Sequence, residues 1–176
     1  MKLQDMTKMS LCVALCCVSA YISFPLPFTP GMVTALTLAM SLTAFLLPPK
    51  QTFFVILVYL LIGAAGLPVF AGGAAGLSKL IGPLGGFYLI WLAAFPILSF
   101  CKGKEINFRR YALADILIAM PITYAGGLTS MMLMMDLTIV QALMMAVVPF
   151  IFGDVVKAVA AAMLGVKLNR MLSRIS

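Results

Sequence analysis

An acid and a base lie three residues apart in an otherwise apolar stretch of the chain, Pro-Phe-Ile-Phe-Gly-Asp-Val-Val-Lys at residues 149–157. On a helix this spacing places Asp154 and Lys157 on one face, within reach of each other. A charge in the hydrocarbon of a membrane costs roughly 2.5–3.5 kcal/mol on insertion scales, so a pair kept there needs a physical reason. The two groups could hold a ligand, or they could form an internal ion pair that only neutralises itself. The spacing alone leaves both interpretations open.

The composition of the chain is that of an integral membrane protein. Of its 176 residues, 64% are hydrophobic and 10% are charged, whereas a soluble domain has about 25% charged residues. The mean hydropathy is +1.15. We therefore predict one domain, residues 1–176, in the lipid bilayer of the cell membrane. The net charge of +7 does not indicate nucleic acid as a partner, because the basic residues lie in short connections between apolar runs.

The residue types that metal sites and hydrolytic enzymes use are scarce. The chain has no histidine, and its four cysteines lie in or at the end of apolar runs without forming a Cys-x-x-Cys motif. We therefore expect no metal site, no cofactor and no enzymatic activity. The glycine-rich segment before Lys79 lacks the order G-x-x-x-x-G-K-[ST] of a phosphate loop, so ATP-driven work would have to come from a partner protein.

The apolar runs predict an all-α bundle of six transmembrane helices. A helix needs about 20 residues to cross a bilayer, so residues 138–148 predict a short helix that lies on one side or dips into it. We end the fifth crossing at Ala125-Gly126-Gly127 and place a break at Pro149 and Gly153, because glycine and proline interrupt helices. The six predicted crossings are residues 9–24, 32–47, 52–65, 84–100, 110–124 and 151–167.

The basic residues predict the orientation of this bundle. With six crossings, the connections on one side hold nearly all of them, and the positive-inside rule assigns that side and both chain termini to the cytoplasm. In the connections on the opposite side, Lys79 is the only basic residue. The cytoplasmic set would be Lys2, Lys8, Lys50, Lys102, Lys104, Arg109, Arg110, Lys167, Arg170 and Arg174.

Three irregular stretches face outward in this arrangement: the proline-rich residues 25–31, the glycine-rich residues 66–86, and residues 125–149. Irregular backbone near a membrane is tolerated where it is buried in protein or lines a cavity. We therefore predict a ligand cavity on the extracellular side, capped by loops, next to the acid–base pair. Its aromatic wall candidates are Phe28, Phe70, Tyr88, Phe150 and Phe152, whereas Trp91 is more simply an anchor at the membrane interface.

The charged groups near this cavity indicate the chemistry of a ligand. Asp154 could accept N–H donors and Lys157 could donate to a carbonyl, which matches the adjacent N–H and C=O groups of a cyclic urea or amide. Lys79, across the mouth, could meet a carboxylate. A small, mostly apolar acid with an amide-like head would satisfy all three.

Three motifs give the chain a family resemblance: Gly-Leu-Pro-Val-Phe-Ala-Gly-Gly at residues 66–73, Gly-Pro-x-Gly-Gly at 82–86, and Pro-Phe-x-x-Gly-Asp-x-x-Lys at 149–157. In these motifs the chain resembles the BioY family, the biotin-specific S components of energy-coupling factor (ECF) vitamin transporters. The resemblance extends over nearly the whole chain. It departs from the usual Gly-Pro-Thr-Gly-Gly-Tyr of the family, because Leu84 and Phe87 stand where threonine and tyrosine are common.

The resemblance implies six transmembrane helices, extracellular biotin binding, and association with a transmembrane coupling protein and two ABC-type ATPases. Asp154 would receive the N–H groups of the ureido ring of biotin, and Lys157 would meet its C=O. The glycine-rich loop, with Gly73, would close over the ligand, and Tyr88 would form part of the wall.

The first apolar run carries small residues at helical spacing, a pattern that lets helices approach closely in lipid. They form two sets, Ser10 with Ala14, and Cys12 with Cys16 and Ala20. The sequence is compatible both with packing of these residues inside the protein and with their contact with a partner protein. By the resemblance, Ser10 and Ala14 would dock the coupling protein.

A second function is an ion-coupled carrier for a small organic acid that works without ATPases, with Asp154, Lys157 and Asp115 as relay groups. We expect Asp115 to lie near the opposite side from the pair, with no polar stripe between them. Asp115 is more simply a structural partner of nearby basic groups such as Arg110.

Overall fold

The computed structural model describes residues 3–27 and 29–174, so Lys2 and the wall candidate Phe28 lie outside the described residues. Helices form most of this part of the chain, with one short antiparallel hairpin. The helices are α1 (Leu3–Ser19), α2 (Leu36–Leu46), α3 (Pro49–Ala64), α4 (Ser78–Ile81), α5 (Gly85–Cys101), α6 (Phe108–Ala114), α7 (Met120–Met135), α8 (Ile139–Ala146) and α9 (Val148–Leu172), with a 3-10 turn at Ala71–Gly73 and a π-helical turn at Asp115–Ala119.

The all-α prediction missed the hairpin, which lies in the proline-rich connection after α1. Strands β1 (Ser23–Pro25) and β2 (Met32–Thr34) pair with Ser23 opposite Thr34 and Pro25 opposite Met32. Proline lacks a backbone N–H, so it is tolerated in strands at an edge, and a two-stranded ribbon consists of edges alone. The two strands give this connection an ordered part, and we call the strands together with Thr29 and Gly31 the strap.

Helix α2 is the centre of the bundle. Eight of its eleven residues are buried, and it packs against α1, α3, α5 and α9. A short helix with no charged residue and apolar residues on every side has no polar face. Its sequence therefore favours burial on all sides. Its two ends mark the two poles of the molecule, because Thr34 at one end contacts Lys157 and Phe45 near the other contacts Asn169.

Two helices in the described part of the chain are long and apolar enough to cross a membrane by themselves, Phe108–Met135 and Val148–Leu172. Three other apolar helices, α2, α3 and α5, have between 10 and 17 residues. The prediction of six crossings therefore stays a prediction. The short helix predicted at residues 138–148 is confirmed as α8.

The predicted end of the fifth crossing is wrong, because α6, the π-helical turn and α7 continue as one helix through Gly126 and Gly127 to Met135. These glycines serve close packing against α5. A Cβ added at Gly127 would overlap the ring of Phe87, and one added at Gly86 would overlap the carbonyl oxygen of Gly126. The absence of side chains lets α5 and α7 approach closely, as in other membrane helix pairs.

The predicted break at Pro149 and Gly153 is also misplaced. Helix α9 begins at Val148, with Pro149 in its first turn and Gly153 inside it. Proline is tolerated in the first turn, where its missing N–H would have no intrahelical partner. The change of direction instead occurs at Val147, whose φ of −123° and ψ of −60° are not helical.

Candidate ligand-binding site

Asp154 and Lys157 lie in the second and third turns of α9 and contact each other, with the lysine Nζ 2.5 Å from Asp154 Oδ1. Two further groups hold the pair. The hydroxyl of Tyr124 donates to Asp154 Oδ2 at 2.7 Å, and Lys157 Nζ donates to the carbonyl oxygen of Thr34 at 3.0 Å. The side chain of Asp154 is only 12% exposed and that of Lys157 only 16%. The pair is thus fixed from α7 on one side and from the end of β2 on the other.

A cavity that is partly open to solvent lies beside the pair; the empty space within and in front of its walls is about 660 Å³. The hairpin, the first turns of α2, the 3-10 turn, α5, α7, α8 and α9 all contribute to its walls. The lining residues are Thr29, Gly31, Met32, Thr34, Leu36, Thr37, Ala71, Leu84, Phe87, Tyr88, Trp91, Thr123, Tyr124, Met131, Ala146, Phe150, Asp154 and Lys157.

The strap after α1 forms one edge of the cavity mouth. The Thr29 hydroxyl donates to the carbonyl oxygen of Met145 at 2.7 Å, which ties the strap to α8. Gly31 lies so close to the ring of Phe150 that a Cβ there would come within 2.8 Å of it. These contacts join segments more than one hundred residues apart in sequence, so the mouth exists only in the folded chain.

Two polar atoms in the cavity wall have no hydrogen-bond partner among the described residues, Trp91 Nε1 and Thr37 Oγ1. Trp91 is 4% exposed, so it is a buried wall residue and the interpretation as an interface anchor is wrong. A buried donor without a partner costs free energy. The indole N–H can therefore serve a ligand acceptor.

The structure brings together three of the five predicted ligand residues. Asp154, Lys157 and Tyr88 line the cavity, and the Tyr88 hydroxyl accepts a hydrogen bond from the backbone N–H of Ala71 at 3.1 Å. Gly73 and Lys79 lie outside the lining described above. Gly73 adopts a φ of +73° in the 3-10 turn near Tyr21, and Lys79 is exposed in α4.

The aromatic wall candidates separate in the same way. Phe150 lines the cavity. Phe70 is fully buried in the core between the rings of Tyr59 and Tyr88, behind the wall. Phe152 is 82% exposed on the outer surface of the bundle. Sequence reasoning could not distinguish these phenylalanines, because the direction of Phe150 and Phe152 depends on how α9 is rotated in the bundle, and that of Phe70 on the path of the connection before the 3-10 turn.

The two small-residue sets of α1 lie on different faces. Cys12, Cys16 and Ala20 are buried against the bundle, whereas Ser10 and Ala14 are exposed. Packing inside the protein therefore accounts for the first set and leaves the second set free.

Asp115 is not where we expected it. It is 2% exposed and lines a smaller cavity of about 320 Å³ that it shares with Asp154 and Lys157. The expectation that it lies near the opposite side from the pair is therefore wrong. It does not pair with Arg110, whose Nε donates to the carbonyl oxygen of Cys101. The closeness of Asp115 and Arg110 in sequence does not determine which of their side chains faces the interior.

Among residues 3–27 and 29–174, no group of three or more His, Cys, Asp or Glu side chains could hold a metal ion. The site is therefore built from one ion pair, hydroxyl groups, an indole N–H and apolar walls.

A model of the family described as BioY matches residues 1–174. The chain belongs to the BioY family. The "biotin transporter BioY2" of Lactococcus lactis subsp. cremoris is 34% identical over 98% of this chain and 93% of that protein. The "biotin transporter BioY" of Thermotoga maritima is 30% identical over 96% of this chain and 98% of that protein.

A solved structure described as the S-component for biotin from an ECF-type ABC transporter has the same fold. Its TM-score is 0.88 at 20% identity, and the match covers 96% of this chain and 92% of that one. The resemblance read from the three motifs is thus confirmed. The relatives are transporters, so this BioY-family chain is a transport protein of the membrane and not an enzyme.

Proposed function

We propose that this BioY-family chain binds biotin and is the S component of an ECF transporter. The observation that carries the proposal is the cavity, partly open to solvent, with a paired acid and base in one wall and apolar side chains around it. The relatives named above as biotin transporters, and the S-component with the same fold, support the choice of ligand.

The pair has spare hydrogen-bonding capacity, which supports a role in holding a ligand. Lys157 uses two of its three N–H donors, on Asp154 and on the Thr34 carbonyl. Asp154 uses one site on each oxygen, for Lys157 and Tyr124, and a carboxylate offers about four. A ureido group can therefore donate its N–H to Asp154 and accept from Lys157 while the ion pair remains intact.

The apolar part of the cavity suits the remainder of biotin. Leu84, Phe87, Met131, Ala146 and Phe150 can cover the fused rings and the aliphatic chain. Each buried CH₂ group contributes about 0.8 kcal/mol. Hydrophobic contact thus adds affinity, while the ion pair selects the ureido head.

The binding site can be tested with the detergent-purified chain and isothermal titration calorimetry. Asp154→Asn and Lys157→Ala should each weaken biotin binding by about 10- to 100-fold, because each removes a charged hydrogen-bonding partner of the ureido group, which contributes roughly 1.5–3 kcal/mol. Asp136→Asn and Lys79→Ala are matched controls, since both side chains are exposed, and they should leave the affinity unchanged. Unaltered binding in both site variants would contradict the proposed site.

The transport step would be driven by partner proteins. We propose that ATP hydrolysis by two ABC-type ATPases is transmitted through a transmembrane coupling protein, which docks on the exposed Ser10 and Ala14 of α1. The bundle would cross the membrane six times, with both termini cytoplasmic and the cavity mouth extracellular. Labelling of Lys79→Cys, in a background without the native cysteines, by a membrane-impermeant thiol reagent in intact cells tests this orientation.

One observation favours the alternative, an ion-coupled carrier for a small organic acid. Asp115 borders the same small cavity as Asp154 and Lys157, so three ionisable groups lie around one cavity. If liposomes that contain only this chain accumulate biotin under an imposed proton gradient, the carrier function replaces the ATP-driven one. Binding without accumulation supports the S-component function.

A further inference from the structure

A second chamber lies beneath the ion pair, on the side away from the apolar part of the ligand cavity. We call it the inner chamber. Asp115 and Ser41 line this chamber alone, and it shares Thr37, Thr123, Tyr124, Asp154 and Lys157 with the ligand cavity. Ser41 hydrogen-bonds to the Asp115 carboxyl group, but Asp115 Oδ2 is buried without a hydrogen-bond partner among the described residues. A carboxyl oxygen without a partner, on a residue that is 2% exposed, requires an explanation.

The charges around Asp115 do not balance if it is ionised. From α9 it faces Asp154 and Lys157, and from α7 it faces Tyr124. From α2 and α5 it meets the uncharged Thr37, Ser41 and Phe95. One ammonium would then serve two buried carboxylates, and that ammonium already contacts Asp154 and the Thr34 carbonyl.

The titratable residues of α6 do not change this balance. Tyr111 stacks on Phe45, with ring centroids 4.6 Å apart, and its hydroxyl accepts from Asn169 near the opposite pole. Arg110 donates to Cys101. An uncompensated negative charge in an apolar interior is strongly unfavourable, and such a group takes up a proton instead.

We propose that the inner chamber is a proton-binding site in which Asp115 carries the proton, and that its occupancy is linked to ligand binding in the outer cavity. With the proton bound, Asp115 is neutral and Lys157 stays with Asp154 at the ligand. Without it, ionised Asp115 competes for Lys157 and draws the ammonium inward. The outer pair then loses the geometry that receives a ureido group. The link to the ligand rests on the proposed function.

A proton suits this chamber better than a metal cation. The oxygen atoms around Asp115 are hydroxyl groups and the Asp154 carboxylate, which already contacts Lys157, and within residues 3–27 and 29–174 no metal-binding cluster of three acidic side chains is present. Sodium needs a shell of several oxygens, whereas a proton needs only the carboxyl group.

The linkage sets the sign of the pH dependence. Because the form with protonated Asp115 binds the ligand more tightly, ligand binding holds the proton on Asp115. Biotin affinity therefore falls as pH rises. Above the pH at which Asp115 loses its proton, biotin affinity should fall by up to about tenfold per pH unit for one linked proton. Between about pH 5.5 and pH 9, a biotin carboxylate and a free lysine keep their charges, so neither obscures the effect.

The experiment measures biotin binding by calorimetry across this pH range in the wild type and in Asp115→Asn, whose amide imitates the neutral carboxyl. Wild-type affinity should fall at the alkaline end, whereas the variant should keep the acid-side affinity throughout. Glu105→Gln is the matched control, because Glu105 is exposed in the α5–α6 connection, and it should follow the wild type. A wild-type affinity that does not change with pH overturns the proposed linkage.

Infrared spectroscopy separates failure of this inference from failure of the proposed function. The wild type at neutral pH should show the C=O stretch of a protonated carboxyl group that is absent from Asp115→Asn and present in Glu105→Gln, whether or not biotin binds. Absence of that band in the wild type overturns the proton site. If the band is absent and biotin affinity depends on the sodium concentration, a cation occupies the chamber instead. If the band is present and biotin does not bind, the proton site stands and the proposed function fails.

Discussion

At the scale of single residues, Tyr124 determines the orientation of the Asp154 carboxylate. Its hydroxyl donates to Asp154 Oδ2 at 2.7 Å, while Lys157 contacts the other oxygen. Hydrogen bonds to ionised acceptors are stronger than neutral ones and fix geometry. Tyr124 therefore aims the carboxylate at the cavity.

Removal of this hydroxyl should weaken binding without removing a charge. Tyr124→Phe should lower biotin affinity by about 10- to 100-fold, because a hydrogen bond to a charged group contributes roughly 1.5–3 kcal/mol. Calorimetry on the purified variant measures the change. Tyr111→Phe loses a hydroxyl near the opposite pole and should bind as the wild type does. Equal affinities in Tyr124→Phe and the wild type would show that the tyrosine does not orient the carboxylate.

The spacing of the site residues explains which of them the sequence revealed. Asp154 and Lys157 are one helical turn apart, so their contact follows from local geometry. Tyr124 lies 30 residues and Thr34 123 residues from their partners, and no periodicity encodes such pairs. Trp91 was misjudged for the same reason: a tryptophan in an apolar run suits a wall and an interface equally well, and only packing distinguishes them.

At the scale of elements, the carboxyl end of α2 is closed by a lysine, with Ser99 and Asn169 as further donors to the Leu47 and Phe45 carbonyls. Lys102 Nζ donates to the carbonyl oxygens of Ala44, Phe45 and Leu47 at 2.7–2.8 Å. A helix end leaves carbonyl groups without intrahelical donors, and a cation there also favours the helix dipole. Burial lowers the pKa of Lys102 to about 8, so the ammonium, with its three N–H groups, still predominates at neutral pH.

Replacement of this cap should destabilise the bundle but not the ligand site. Lys102→Met removes the side-chain donor of the Ala44 carbonyl and one of the two side-chain donors of the Phe45 and Leu47 carbonyls, and should lower the free energy of unfolding by about 1–3 kcal/mol. Thermal unfolding in detergent measures the effect. Biotin affinity at low temperature should be retained, since the cap and the ion pair lie at opposite ends of α2. Lys104→Met, at an exposed position of the same connection, is the control; a loss of similar size there would rule out the capping role.

The glycines show where element boundaries could not be read from sequence. Gly126 and Gly127 have the composition of a break, yet they continue a helix because a neighbouring helix occupies the space of their absent side chains. The positions of α3 and α5 were close to the predicted ones, since flanking prolines, glycines and charges mark their ends. Boundaries set by local chemistry were therefore predictable, and those overridden by helix packing were not.

At the scale of the whole molecule, α1 has one face in the bundle and one face outside it. Cys12 and Cys16 are buried, whereas Ser10, Ala14 and Val18 are exposed. In a membrane, an exposed stripe with small residues allows another helix to approach closely. The outer face of α1 is thus the surface on which we expect the coupling protein.

A bulky residue on this face should separate docking from ligand binding. Ala14→Trp should abolish co-purification with the coupling protein and reduce ATP-dependent biotin uptake at least about tenfold, because the indole blocks the close approach that small residues permit. Biotin binding by the isolated variant should be unchanged. Val58→Trp introduces the same side chain at an exposed position of α3 and should leave co-purification intact. If co-purification is lost in both variants, or in neither, the outer face of α1 is not the docking surface.

Helix α9 is fastened at both ends of α2, by Lys157 on the carbonyl of Thr34, which ends β2 just before α2, and by Asn169 on the Phe45 carbonyl. A slide of one helix past the other by a single residue would break both bonds at once. The two helices thus behave as a stiff spine that carries the acid–base pair.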